Sequence, residues 1–121
     1  MKWGASDVHL VPGLPPMFRV NTVLAAAPGF QKITADETEQ FVKESVGRER
    51  FEQFRERRDI DFSAHLEGLG RFRVNGHFQR NCIAISLRAI RDSVPSMAEL
   101  TLPTIVDSLI NLQKGLVLVT G

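Results

Sequence analysis

The chain has 121 residues, 43% of them apolar and 24% charged, which is the make-up of one globular domain with a core of its own. A net charge of +1 excludes a global field for nucleic acid or an anionic membrane, so any anion site has to be local. The single cysteine, Cys82, excludes an intrachain disulfide, fits a reducing compartment and reads as a small packing residue within CIAIS.

The N-terminal MKWGASDVHL lacks the apolar run of a signal peptide. No stretch approaches the roughly 20 apolar residues of a membrane span. A soluble, cytoplasmic chain is the expectation. SDVHLVPG and PPMFRVN read as two short strands joined through Pro12 to Pro16, with Val8 and Leu10 alternating against Asp7 and His9. TVLAAA is a third strand, ended by Pro28 and Gly29. Thr34 and Glu37 then form a capping box, in which each side chain satisfies the other residue's backbone N–H. Phe41, Val42 and Val46 give the helix that follows an apolar stripe, and Gly47 stops it.

RERFEQFRERRD carries five arginines against four acids, with Phe51 and Phe54 as its apolar anchors. Its simplest reading is a solvated amphipathic helix, and a basic docking patch is the other. Three strands follow, DIDFSAHL, RFRVNGHFQ and CIAISLRAI, with Ile60, Phe62, Phe72, Val74 and Phe78 on one face. RDSVPSMAELTLP reads as a linker, TIVDSLINL as a short amphipathic helix, and GLVLVTG as a buried strand ending in a turn.

The chemistry concentrates in RFRVNGHFQRNCIAISLRAI. With Arg80 and Asn81 as a two-residue turn, Phe72 faces Ala89, Val74 faces Leu87, Gly76 faces Ile85 and Phe78 faces Ile83. Every pair on that face is apolar or glycine. The same register sets Arg73 opposite Arg88, Asn75 opposite Ser86 and His77 opposite Ala84. Like charges directly opposite destabilise a sheet, so the two arginines either splay into solvent or hold an anion between them. Side chains about 5 Å apart at Cβ suit a phosphate gripped by charge-assisted hydrogen bonds. His9, His65 and His77 lack metal-ligand spacing, so no metal site is expected, and His9 reads as structural. No nucleophile motif is present, so no catalytic residue is assigned. Asp59 and Asp61 share a strand face, a common arrangement in edge strands.

GASDVHLVPGLPPMFRVN, GLGRFRVNGHFQRN, LRAI and GLVLVTG stand in an order that resembles the PilT/PilU twitching-motility ATPases, relatives of GspE- and PilB-type secretion ATPases. The resemblance covers nearly the whole chain. It implies an α+β fold: a PAS-like N-terminal domain over residues 1–93, with an antiparallel sheet covered by helices. Residues 94–121 would then be an interdomain linker and the first helix and strand of a RecA-like ATPase domain. The chain would stop at Gly121, the first glycine of the Walker A loop, which makes it a truncated piece of a motor that does not hydrolyse ATP alone.

In the longer parent, the resemblance implies a homohexamer that binds ATP and Mg²⁺ and works at the cytoplasmic side of the inner-membrane pilus machinery. Arg73 and Arg88, with Arg80 at the hairpin tip, would reach the nucleotide phosphates across an interdomain cleft. The family usually has glycine where Thr22 stands, so a reshaped 21–23 connection is expected. An unpaired GLVLVT predicts pairing with a sheet edge of a second copy, as a swapped dimer. Two alternatives remain open for the residues themselves: a PAS-like small-molecule sensor, and a piece of a GspE/PilB-type assembly ATPase. A hairpin binding nucleic acid is disfavoured by the near-neutral charge and the lack of interleaved exposed aromatics.

Overall fold

The computed structural model describes residues 4–90 and 93–120. The described residues form β1 (Asp7–Leu10), β2 (Met17–Val20), β3 (Val23–Ala26), α1 (Ala35–Val46), α2 (Arg48–Arg57), β4 (Asp59–Leu66), β5 (Gly70–Gln79), β6 (Cys82–Ile90) and α3 (Ile105–Leu109). The strands make one sheet in the order β3-β2-β1-β6-β5-β4, antiparallel at every pairing. Every pairing joins two consecutive strands as a hairpin except one seam, where β1 docks on β6, and the consecutive strands β3 and β4 form the two edges. That seam joins the N-terminal meander to the C-terminal one.

The β5–β6 hairpin has the expected register. Phe72 faces Ala89, Val74 faces Leu87, Gly76 faces Ile85 and Phe78 faces Ile83. Arg80 and Asn81 form its two-residue turn with φ of 50° and 62°, the positive pair that matches strand twist in tight hairpins. The β2–β3 turn uses Asn21 and Thr22 in the same way, with φ of 46° and 71°. Thr22 itself accepts the left-handed conformation, which a β-branched residue rarely adopts.

α1 opens with the expected capping box. The Thr34 backbone N–H donates to Glu37 Oε2 at 2.7 Å, and the Glu37 N–H donates to Thr34 Oγ1 at 3.2 Å. Gly47 ends α1 and begins α2 at φ 78° and ψ 168°, a region open essentially to glycine alone. α2 then closes on a left-handed Arg58, whose guanidinium lies 4.4 Å above the Phe78 ring.

Both helices cover one face of the sheet. Val42 of α1 and Phe51 and Phe54 of α2 pack with Phe62, Phe72, Val74, Ile83, Ile85 and Leu87 in a single buried cluster. Phe54 sits at its centre, 6.1 Å from the Phe51 ring and 5.0 Å from the Phe78 ring between centroids. Phe41, expected in the core, is only half-buried at its margin. Gly76 leaves room for its cross-strand neighbour on β4, since a Cβ there would lie 3.2 Å from Ile60 Cγ2.

The later segment departs from expectation. The predicted helix over 104–112 shortens to α3, which buries no residue. GLVLVT forms no strand among the described residues, and Leu116 to Val119 are all exposed, Val119 at 95%. An apolar strand needs neighbours for its backbone groups and faces, and this single chain gives the segment none. Gly121, the expected Walker A glycine, lies outside the described residues.

Candidate functional site

The sheet face opposite the helices is polar, because strand alternation turns the partners of the core residues outward. An open cleft of about 410 Å³ lies on it, where β2, β1, β6, β5 and β4 present their outward side chains. Arg73 and Arg88 are direct cross-strand partners on this face. Their side chains are 69% and 72% exposed. Arg19 of β2 joins them.

These arginines do not stand against each other unopposed, and the expected repulsion is corrected by two carboxylates. Arg88 Nε donates to Asp7 Oδ1 at 2.8 Å. Arg73 Nη2 lies 3.6 Å from Asp61 Oδ2. Asp7 also meets Arg19 Nε at 3.6 Å and accepts from Ser6 Oγ at 2.8 Å. The Arg88 hydrogen bond is the main reason that the buried Asp7 carboxyl is held below its ordinary range, and it outweighs the burial that acts the other way. Three guanidiniums against two carboxylates leave the cleft with positive charge in excess.

The cleft also includes His9, whose Nδ1 lies 3.1 Å from Ser86 Oγ. Its Nε2 is buried without a hydrogen-bond partner. His9, read as structural, thus shares a wall with the arginines. Asn75 is drawn aside, donating to Asp59 Oδ2 at 3.3 Å. Arg80 is not part of this group. It occupies the hairpin turn, seven residues along from Arg73, or roughly 20 Å at strand rise.

Asp7 and Arg19 are the members that sequence reasoning missed. Both were visible as outward residues of alternating strands. Their relevance depends on the β1–β6 seam, which joins positions 81 residues apart and leaves no local signal.

No protein-family model matches the chain. Among curated proteins, it is 30% identical over 118 residues to the type IV pilus ATPase PilU of Pseudomonas aeruginosa, covering 98% of this chain and 31% of PilU. It is 32% identical over 120 residues to the type IV pilus retraction ATPase PilT of the same organism, covering 99% of this chain and 35% of PilT. The chain thus spans about a third of the length of these relatives. A solved structure of the pilus retraction motor PilT with bound ADP superposes with a TM-score of 0.75 at 31% identity, covering 89% of this chain and 32% of that one. The ATPase DotB of Legionella pneumophila shares the fold at a TM-score of 0.69 and 24% identity, over 94% of this chain and 33% of its own. In sequence and in fold, the chain corresponds to the N-terminal domain of the PilT/PilU-type ATPases.

Proposed function

We propose that the chain serves as the N-terminal module of a type IV pilus retraction ATPase, in which Arg73 and Arg88 hold nucleotide phosphates across a cleft shared with an ATPase domain. The observation that carries this reading is the directly opposed, exposed Arg73–Arg88 pair on a cleft with surplus positive charge. Guanidiniums offer forked N–H donors that match phosphate oxygens. Positioned arginines act most on the charge that develops as a phosphoryl group transfers, where they are worth factors of about 10³ to 10⁵ in the best cases.

On this reading the chain supplies charge and donors, while the Walker A loop, the Mg²⁺-binding groups and the catalytic base belong to the ATPase domain. The working unit is a homohexameric ring on the cytoplasmic side of the inner membrane, its N-terminal modules also contacting neighbouring subunits. Relatives with pilus-ATPase names support the ring ATPase setting. Arg80, remote from the pair, contributes less than either partner.

The test exchanges the N-terminal third of Pseudomonas aeruginosa PilT for this chain and follows ATP turnover. Arg73→Ala in the chimera is expected to lower turnover at least about ten-fold with the melting temperature nearly unchanged. Arg88→Ala is expected to lower turnover as much while also lowering the melting temperature, because it leaves the buried Asp7 carboxylate without its main partner. Turnover equal to that of the unmodified chimera overturns the proposal.

A further inference from the structure

The two carboxylates of the cleft hold their arginines in different ways. Asp7 is buried, its side chain only 11% exposed, and it engages Arg88 through Nε at 2.8 Å. Among the described residues, no hydrogen bond occupies the two terminal nitrogens of Arg88. Asp61 is 53% exposed, and its contact at 3.6 Å is with Nη2 of Arg73, a terminal nitrogen that an anion would itself use. One aspartate braces an arginine from behind. The other occupies an arginine's working end.

We propose that Asp7 is a positioning residue of the anion site, fixing Arg88 through Nε so that its terminal amino groups remain available to a phosphate-bearing ligand, while Asp61 competes with that ligand for Arg73. This rests on the reading that the cleft takes phosphate. Three features of Asp7 support it. Its place on β1 directly opposite Arg88 is set by backbone pairing rather than by a mobile side chain. Ser6 Oγ holds its second oxygen at 2.8 Å, so the carboxylate cannot swing away without losing that bond. Arg19 Nε approaches the same oxygen from β2, so one buried carboxylate aligns cations from two strands. A long side chain that is ordered before binding loses less entropy when it grips a ligand.

Positioning and charge alone differ in the sign they predict. Removing either carboxylate makes the cleft more positive, so electrostatics predicts tighter anion binding for both Asp7→Asn and Asp61→Asn. Positioning predicts opposite signs. The experiment titrates the 121-residue chain with inorganic tripolyphosphate at low ionic strength, following amide and arginine side-chain NMR shifts. Asp61→Asn is expected to tighten binding about two-fold, as for an exposed, screened pair. Asp7→Asn is expected to weaken it about five-fold, and Arg88→Ala to weaken it at least as much.

Tightening by both aspartate variants overturns the positioning role and leaves the phosphate reading standing. Binding unaffected by Arg88→Ala overturns the phosphate reading itself. If Asp7→Asn does not fold, the Arg88 Nε–H of the unmodified chain carries the test. Its exchange with solvent is expected to be slowed relative to that of Arg73, and equal exchange overturns the proposal.

Discussion

The sheet has two halves that live under different physical regimes. β4, β5 and β6 lie beneath α1 and α2, and their inward residues are buried in one cluster. The β2–β3 hairpin extends beyond the helices. All four residues of β3 are exposed, Val23 at 66%. Both halves are antiparallel and tightly turned, yet only one has a core. Alternating sequence becomes stability only where a second layer covers the apolar face. The uncovered hairpin depends on backbone pairing, its turn and the seam at β1. Asp7 sits on that seam, linking Arg88 of one half to Arg19 of the other.

The largest effect expected comes from the covered half. Phe54→Ala removes the ring that joins α2 to β5 and should cost about 3–5 kcal/mol, read as a shift in the urea midpoint at unchanged slope. A loss near 1 kcal/mol would mean that the layers collapse into the space, and the contrast between halves would weaken.

An intermediate effect belongs to the seam. Arg88 holds the Asp7 carboxyl below its ordinary value of 3.8. A depressed native pKa contributes stability that is present in full above the unfolded value and lost as pH falls through the native one. Unmodified chain should therefore exceed Asp7→Asn in stability near pH 7, and the gap should close below the ordinary Asp range. A gap constant across acid pH would show that Asp7 acts at the seam by shape and not by charge.

The smallest effect, and the only gain, is expected in the uncovered hairpin. Thr22 holds φ 71° at a cost of roughly 1–2 kcal/mol for an L-residue in the left-handed region. Thr22→Gly relieves that strain but adds freedom to the unfolded chain. A net gain of up to about 1 kcal/mol is expected by urea denaturation. The Arg19 Nη1 bond to the Thr22 carbonyl, 3.2 Å long, survives because it uses backbone. A loss of stability would mean that the threonine side chain contributes to the turn.

Local features were legible in the residues themselves. The capping box at Thr34 and Glu37, the glycine stop at 47 and the β5–β6 register all rest on interactions within a few residues or across one tight turn. The opposed Arg73 and Arg88 follow from that register alone. The cleft was legible only in part. Its arginine pair could be read from the hairpin and Asp61 stood among the nearby acids, but Asp7 could not be read as a counterion, because it reaches Arg88 through a seam that no sequence neighbour announces. GLVLVT is the reverse case: its composition suits a central strand, but pairing needs neighbours, and among the described residues it has none and stays exposed.

The sequence by itself thus determined the six strands and two helices up to Ile90, the β5–β6 pairing and the placing of two like charges face to face. Periodicity and turn chemistry are properties of short stretches, and short stretches are what a sequence displays directly. Tertiary structure alone decided that β1 lies against β6, that Asp7 and Asp61 turn a repelling pair into a braced and partly neutralised one, and that the helices shelter only half of the sheet. Those outcomes depend on which distant surfaces meet, and burial and charge neutralisation exist only once they have met.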